Sequence, residues 1–249
     1  MGKFYTVEVK PTIAAGVQAS AGFADGDLVF DWTPFYIPNG ASRLISANLI
    51  LRGTDGVAQS ASFDVFFAKS FSSTDSGVGF EAPGSLGTAH ATADGVGYFK
   101  NIVGFTRFAA NDLASGLDTI AIARNAHDRG RFIDMVLDPE PHSGLTKGFG
   151  VMYLGGITTA GSLTFASTCQ VDTEQAPGST TLTVKTTSAL NMFDKGDILH
   201  DEAGLLLGTV KSVDSATSIS LVSGLANAAA NNRDVYCINP ISVILSFEM

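Results

Sequence analysis

Hydrophobic and polar residues alternate in short runs along most of the chain, and turn residues separate the runs. Tyr5, Val7 and Val9 alternate with polar neighbours, and the run 43–52 ends at the turn residues 53–56. A period of two residues is typical of half-buried strands, whereas amphipathic helices repeat every three to four residues. Further runs of this kind lie at 27–32, 62–69, 98–108, 119–123, 131–137, 148–154, 162–165 and 241–247. The pattern therefore predicts an all-β chain.

Helical periodicity is rare, and only residues 111–117 suggest a helical turn. Strands that follow one another at this spacing, without helices to serve as parallel crossovers, form antiparallel sheets. Two such sheets pack face to face in a sandwich or jelly roll. We therefore predict an antiparallel, jelly-roll-like β-sandwich.

The composition changes near Cys169, where residues 170–179 form a polar connector that contains proline and glycine. Short predicted strands with their own turns follow at 180–185, 197–200, 205–213, 218–222 and 235–238. Such a stretch is long enough for a small barrel. The last run, 241–247, is too apolar to be an exposed tail, so we expect it to return to the first sheet.

These features predict two domains. Residues 1–168 and 238–249 would form the sandwich, and residues 169–237 would form a small β-barrel domain inserted into one of its loops. Cys169 and Cys237 would then lie side by side where the chain enters and leaves the barrel. Two cysteines are too few for a disulfide framework, and we expect free thiols.

Charge and composition exclude two classes of partner. The chain carries 24 acidic and 15 basic residues, for a net charge of −9. Binding to nucleic acid needs a cationic surface, so we expect no nucleic-acid partner. No apolar run is long enough to cross a bilayer, and we expect no membrane partner.

The segment 193–213 is the strongest candidate for a reactive site. Its titratable residues are Asp194, Asp197, His200, Asp201 and Glu202. Consecutive residues of a strand, such as His200 and Asp201, point to opposite faces and do not easily converge on one metal ion. Acidic residues next to glycine are also typical of hairpin turns. We interpret the segment as a β-hairpin with acidic turns, and a divalent cation held by loop oxygens is the alternative.

No other segment has the spacing of a known catalytic or cofactor-binding motif. The four histidines, His90, His127, His142 and His200, are scattered, and the chain has no GxSxG, P-loop or dinucleotide-binding pattern. We therefore expect no enzymatic activity and no catalytic, cofactor-binding or metal-binding residues. A hydrolase whose triad comes from distant residues is the alternative.

Aromatic residues raise the question of carbohydrate binding. Trp32, Phe35 and Tyr36 lie among prolines that predict a bent segment between strands, where aromatics usually fill the end of a sandwich core. The segment 71–93 is rich in Ser, Gly and Thr and predicts a long surface loop that contacts partners. Aromatic residues exposed together in either place would favour a carbohydrate-binding or host-adhesion module.

Four stretches resemble accessory structural proteins of tailed bacteriophage virions, especially those of marine phages. They are FDWTPFYIPNGASRLISANLILRGTDG (30–56), PGSLGTA (83–89), FGVMYLGGI (149–157) and FDKGDILHDEAGLLLGTVKSVDSATSISL (193–221). The shared features are strands rich in Gly, Thr and Ser, low charge and a small inserted barrel.

The resemblance implies a virion protein, assembled in the host cytoplasm, of the head decoration, collar or fibre type. We expect it to bind the major capsid protein or other virion subunits, and to form a homo-oligomer, with a trimer favoured. The sandwich would dock, and the barrel would project or bridge to a neighbour. Phe71, Phe80 and Trp32 are the residues that we expect to anchor these interfaces.

Overall fold

The computed structural model describes residues 3–19, 22–53, 59–69, 102–113, 120–125, 135–141, 148–161, 163–167, 169–185 and 189–249. Nearly all of the elements are strands, which confirms the all-β prediction. The strands are β1 (Phe4–Val9), β2 (Leu28–Pro38), β3 (Ser42–Arg52), β4 (Ala61–Ala68), β5 (Ile102–Phe108), β6 (Ile120–Asn125), β7 (Met135–Leu137), β8 (Glu140–Pro141), β9 (Phe149–Gly161), β10 (Thr181–Thr183), β11 (Ile198–Asp201), β12 (Leu206–Ser215), β13 (Ser218–Leu221), β14 (Val235–Cys237) and β15 (Ile241–Glu248). The described helices are one turn long: α1 (Ala15–Gln18), α2 (Ala189–Met192) and a 3-10 turn (Ala110–Asp112).

Two antiparallel sheets form the sandwich. One has the order β1–β15–β3–β6, with β7 also paired to β3, and the other has the order β2–β9–β4–β5, with β8 paired to β9. The last strand, β15, lies between β1 and β3, with Val243 opposite Val9 on one side and Leu49 on the other. Every second residue of β15 is buried, as expected for a central strand with one face on a core. The predicted return of the final strand is confirmed.

Phenylalanine side chains pack among aliphatic ones in the space between these two sheets. The rings of Phe30 and Phe63 lie 5.8 Å apart between centroids, and Phe35 meets Phe67 edge to face at 6.3 Å. All four side chains are buried. Burying a phenylalanine side chain contributes about 1.5–3 kcal/mol, so these rings are a large part of what holds the sheets together.

The prediction of a bent segment after residue 32 is wrong. Strand β2 continues through it to Pro38, with register shifts between Leu28 and Phe30 and between Phe30 and Thr33. Within the described sheet β2 is an edge strand, where proline removes no required ladder hydrogen bond. The register shifts send Phe30 toward the core but leave Trp32 on the outer face.

Strand β9 is also longer than the predicted run 148–154. Its extension includes Gly155 and Gly156, which lower the strand propensity of the sequence. In the fold, a Cβ on Gly156 would come within 2.6 Å of the Phe63 ring, and a Cβ on Gly155 would come within 3.1 Å of the Trp32 ring. Both glycines therefore make room for aromatic rings, one on each face of the sheet.

The small barrel is a single curled sheet with the order β10–β13–β12–β11–β14. Gln170 forms a β-bridge with Asp234, next to β14, and Val171 forms one with Val184, next to β10. This short segment therefore joins the two edges of the sheet. Its core is separate from that of the sandwich and consists mainly of aliphatic side chains. The domain boundaries at residues 169 and 237 stay a prediction.

Cys169 and Cys237 are buried free thiols at the base of the barrel. The backbone N–H of Val235 donates to the carbonyl of Cys169 at 2.8 Å, so the chain segments that enter and leave the barrel run side by side. Burial, with a smaller contribution from the Asp197 carboxylate, raises the pKa of the Cys237 thiol to about 11. The thiol is therefore protonated at neutral pH.

Candidate functional site

One row of aromatic side chains crosses the outer face of the β2–β9–β4–β5 sheet. Gly155 of β9 pairs with Phe66 of β4, and Phe66 pairs with Phe105 of β5. The rings of Phe66 and Phe105 are stacked with 5.7 Å between centroids. The Trp32 indole lies against the position where Gly155 lacks a side chain. We call Trp32, Phe66 and Phe105 the aromatic row.

The aromatic row is accessible at the edge of the sheet. Phe105 is 53% exposed on β5, the last strand of the described sheet, while Trp32 and Phe66 are half-buried. Two features of the backbone create the row: the register shifts in β2 that turn Trp32 outward, and the glycine that lets the indole lie against β9. The result is an apolar strip across the outer face of this sheet.

An ion pair lies directly beside the aromatic row. Asp64 and Arg107 are opposite each other on β4 and β5, and Arg107 donates from Nε and Nη2 to the two carboxylate oxygens at 2.7 Å each. The Asp64 side chain is buried, but that of Arg107 is 58% exposed. The hydrogen bonds and the charge of Asp64 raise the pKa of Arg107. Aromatic rings beside an oriented guanidinium are the composition typical of binding hot spots.

The structure places one of the three predicted anchors. Trp32 lies in the aromatic row, whereas Phe71 and Phe80, with the predicted loop 71–93, lie outside the described residues. Sequence reasoning missed Phe66 and Phe105. The alternation of Phe105 with the inward-facing Thr106 on β5 could have indicated that Phe105 faces outward. The sequence does not show, however, that β4, with Phe66, is the strand that pairs with β5.

The acidic segment 193–213 forms the predicted hairpin, and β11 pairs with β12. Asp201 is buried, and its Oδ1 accepts from the Leu205 N–H at 2.8 Å, which closes the hairpin turn. His200 Nδ1 lies 2.9 Å from the Gly204 carbonyl oxygen. Arg233 donates to Glu202 at 2.6 Å. These contacts confirm the interpretation of the segment as a hairpin with acidic turns.

Within the described ranges the protein has neither a metal-binding cluster nor a membrane-spanning helix. There, no set of three His, Cys, Asp or Glu side chains is grouped so that it could hold a metal ion. No helix among the same residues has the length and apolar character needed to span a bilayer. His90, His127 and His142 lie outside these ranges.

Arg52, at the end of β3, connects the sandwich to the barrel. Its Nη1 donates to the Met192 carbonyl at 2.7 Å, and its two Nη atoms bind the two carboxylate oxygens of Asp197. Burial lowers the pKa of Arg52, but the bonds and charge of Asp197 outweigh it, and the pKa is raised overall. Gln18 adds a second connection, since its Nε2 donates to Ile13 and Cys237 carbonyls at 2.7 and 2.8 Å.

A groove of about 330 Å³ runs beside this connection. One side is the outer face of the β1–β15–β3–β6 sheet, and the other is the barrel turn of residues 194–197. A volume of this size is within the range of small-ligand sites, which are common where two structural units meet.

Comparison with known proteins gives no relative. No protein-family model matches the chain, no curated protein matches it, and no solved structure matches its fold.

Proposed function

We propose that this chain is a non-enzymatic structural subunit of a bacteriophage virion that binds the major capsid protein or other coat subunits. The observation that carries the proposal is the aromatic row beside Arg107. Hot spots of protein interfaces are rich in Trp, other aromatics and Arg, and they lie where apolar side chains can be fully desolvated. The resemblance of the sequence to accessory virion proteins supports coat subunits as the partners.

The connection between the two units supports a role for the barrel as a rigid projection. Arg52 holds Asp197 and a main-chain carbonyl at once, so reorienting the barrel would break several bonds at the junction. If the sandwich docks through the outer face of the β2–β9–β4–β5 sheet, the barrel is therefore held at one angle to the particle. Homo-oligomer formation, with a trimer favoured, is part of the same proposal, because closed symmetry is the rule among assembled subunits.

Binding to purified capsids tests the proposal. We expect Phe105→Ala to weaken co-sedimentation with capsids at least tenfold, because it removes the most exposed ring of the row. Phe4→Ala is the matched control, since Phe4 is 68% exposed but lies on β1 in the other sheet. Capsid binding that Phe105→Ala leaves unchanged, or that Phe4→Ala weakens equally, would contradict docking through the row.

A carbohydrate-binding or host-adhesion module is the second candidate. It is favoured by the position of the Trp32 indole on an outer sheet face, where an aromatic ring can stack on a sugar ring. Trp32 is the single tryptophan of the chain, so its fluorescence reports directly on this site. Glycan-array binding that Trp32→Ala abolishes, in a protein that does not bind capsids, would favour this candidate over the first.

A further inference from the structure

The groove between the sandwich and the barrel presents cationic groups from both units. Lys10 follows β1 at the end of the first sheet, and Lys195 lies in the barrel turn of residues 194–197. Both lysines line the same groove of about 330 Å³. The groove lies on the other sheet from the aromatic row, so what it binds does not depend on the docking face proposed above.

Most of the acidic side chains in the groove are occupied by internal donors. Oε1 of Glu8 accepts from Ser242 Oγ at 2.7 Å, and Lys10 Nζ lies 3.4 Å from the same oxygen. On the barrel side, the carboxylate of Asp197 binds Arg52 and also accepts from the Asp194 N–H at 2.7 Å. The Asp197 carboxylate therefore serves the fold. The Lys10–Glu8 pair is exposed, with 57% and 50% of the two side chains accessible, and an exposed pair is weak, so Lys10 can exchange Glu8 for a ligand carboxylate. The Lys195 side chain is also exposed.

The barrel turn is a rigid wall. The Gly196 N–H donates to the Val210 carbonyl at 2.8 Å. The φ of Gly196 is +94°, which glycine adopts without strain. Oδ1 of Asp194 accepts from the Lys195 N–H at 2.6 Å. In the part of the chain that the structure describes, the Lys195 ammonium group makes none of the bonds that hold this turn. It is thus carried on a fixed backbone and available for an anion.

Part of the groove is apolar. Ile50 and Ile120 are half-buried on neighbouring strands, β3 and β6, and both line the groove. A small inorganic anion would leave this apolar surface in contact with water. A ligand that combines a carboxylate with an aliphatic group would cover the isoleucines and also meet the lysines.

We propose that the groove binds an extended acidic peptide segment of a partner protein. A carboxylate side chain of that segment lies between Lys10 and Lys195, and a neighbouring aliphatic side chain covers Ile50 and Ile120. A pre-organised groove lowers the entropic cost of ordering such a segment on binding. Because the walls come from the sandwich and the barrel, the bound segment also reinforces the connection between them.

Titration of the ¹⁵N-labelled protein with two short peptides tests the proposal. One is acetyl-Gly-Glu-Leu-Glu-Gly-amide, and the other has glutamine in place of both glutamates. We expect the acidic peptide to shift the amide resonances of Lys195, Gly196 and Ser242, and the glutamine peptide to bind at least tenfold more weakly. Equal binding of the two peptides, or shifts confined to other parts of the protein, would overturn the proposal.

Paired variants locate the binding charges. The double change Lys10→Gln with Lys195→Gln should weaken the binding of the acidic peptide at least tenfold. The control, Lys3→Gln with Lys211→Gln, alters net charge equally at exposed lysines outside the groove and should leave binding within twofold of the wild type. An equal loss in both double variants would show a general charge effect and refute the site.

Two further measurements identify the ligand class. Inorganic phosphate alone should not displace the acidic peptide, and full displacement at millimolar phosphate would reduce the groove to a simple anion site and refute the proposal. Sedimentation velocity compares the self-association of the wild type with that of the Lys10→Gln, Lys195→Gln protein, which is the groove variant. Self-association that the groove variant abolishes and the control retains would identify a second copy of the chain as the occupant and would overturn the assignment to a different protein.

Discussion

The sandwich and the barrel use their side chains in different ways. In the sandwich, eight phenylalanine rings pack among aliphatic side chains in the core, and further aromatic rings lie on the outer face of one sheet, where Phe105 is exposed beside Arg107. In the barrel, the core is mainly aliphatic, and the polar side chains bind turns, as Asp201 does with the Leu205 N–H. The sandwich thus carries the apolar surface that we propose for docking, and the turns of the barrel are held by specific hydrogen bonds.

Size explains this difference. A small unit buries a lower fraction of its surface than a large one, so its core contributes less and its turns must be held by specific bonds. The barrel accordingly closes its sheet through the bridges of Gln170 and Val171 and ties its acidic turns to backbone groups. The sandwich, which has a core between two sheets, tolerates aromatic rings on one outer face.

Breaking the connection between the two units should have the largest effect. Arg52→Met leaves the partly buried Asp197 carboxylate without its guanidinium, and we expect a loss of about 2–3 kcal/mol in unfolding free energy, reduced from the fully buried case because solvent reaches the pair. Urea unfolding followed by far-UV circular dichroism measures the loss. Trp32 fluorescence reports on the sandwich alone, so the two probes should give separate transitions in the variant.

Arg43→Met is the control for this prediction. Arg43 pairs with Glu248 at 3.6 Å on the surface of the sandwich, and an exposed pair contributes less than about 1 kcal/mol. If the two variants lose the same stability, the Arg52 connection is no stronger than a surface ion pair.

A methyl group in the sandwich core should have the next largest effect. Gly156→Ala places a Cβ within 2.6 Å of the Phe63 ring, and overpacking of this kind costs about 2 kcal/mol. Gly16→Ala is the matched substitution, because its Cβ comes no closer than 3.8 Å to the Glu202 carbonyl oxygen and lies in α1, where alanine is favoured. Thermal unfolding should show destabilisation only for Gly156→Ala, and unchanged stability there would show that the rings can move aside.

Removing a turn-closing carboxylate tests the structural role of acids in the barrel. Asp201→Ala leaves the Leu205 N–H without its acceptor, and we expect a loss of about 1–2 kcal/mol by urea unfolding. Glu202→Gln should cost well under 1 kcal/mol, because the pair of Glu202 with Arg233 is partly exposed. Capsid binding should be the same for both variants, and a selective loss of binding in Asp201→Ala would assign the turn to the docking surface.

The smallest effect concerns the Cys237 thiol. Its pKa is raised from the ordinary value of 9.0 to about 11, so the folded protein holds this proton when the unfolded chain releases it. The contribution of the protonated Cys237 thiol to the stability of the folded protein is therefore fully present below pH 9. It is lost as the pH rises toward about 11. Alkylation by iodoacetamide at pH 8, followed by mass spectrometry, should be much slower at Cys237 in the native protein than in urea, and equal rates would contradict the burial of the thiol.

Sequence reasoning predicted those strands whose alternation was unbroken. It located β3, β4 and β15 within one or two residues of their bounds, and it identified the hairpin of β11 and β12. It failed where proline or glycine interrupted a strand, because these residues have low strand propensity and their compatibility depends on position in the sheet. Strand β2 tolerates Pro34 at an edge, and β9 tolerates Gly156 under aromatic rings.

The sequence alone determined the all-β character, the return of the last strand and the turn role of the acidic segment, because these follow from local periodicity and turn chemistry. Only the tertiary structure decided which side chains meet. The aromatic row depends on the register of four strands, and both the Arg52–Asp197 connection and the groove require residues from distant parts of the chain. Such contacts depend on strand order and on packing between units, and the period of a sequence carries no information about either.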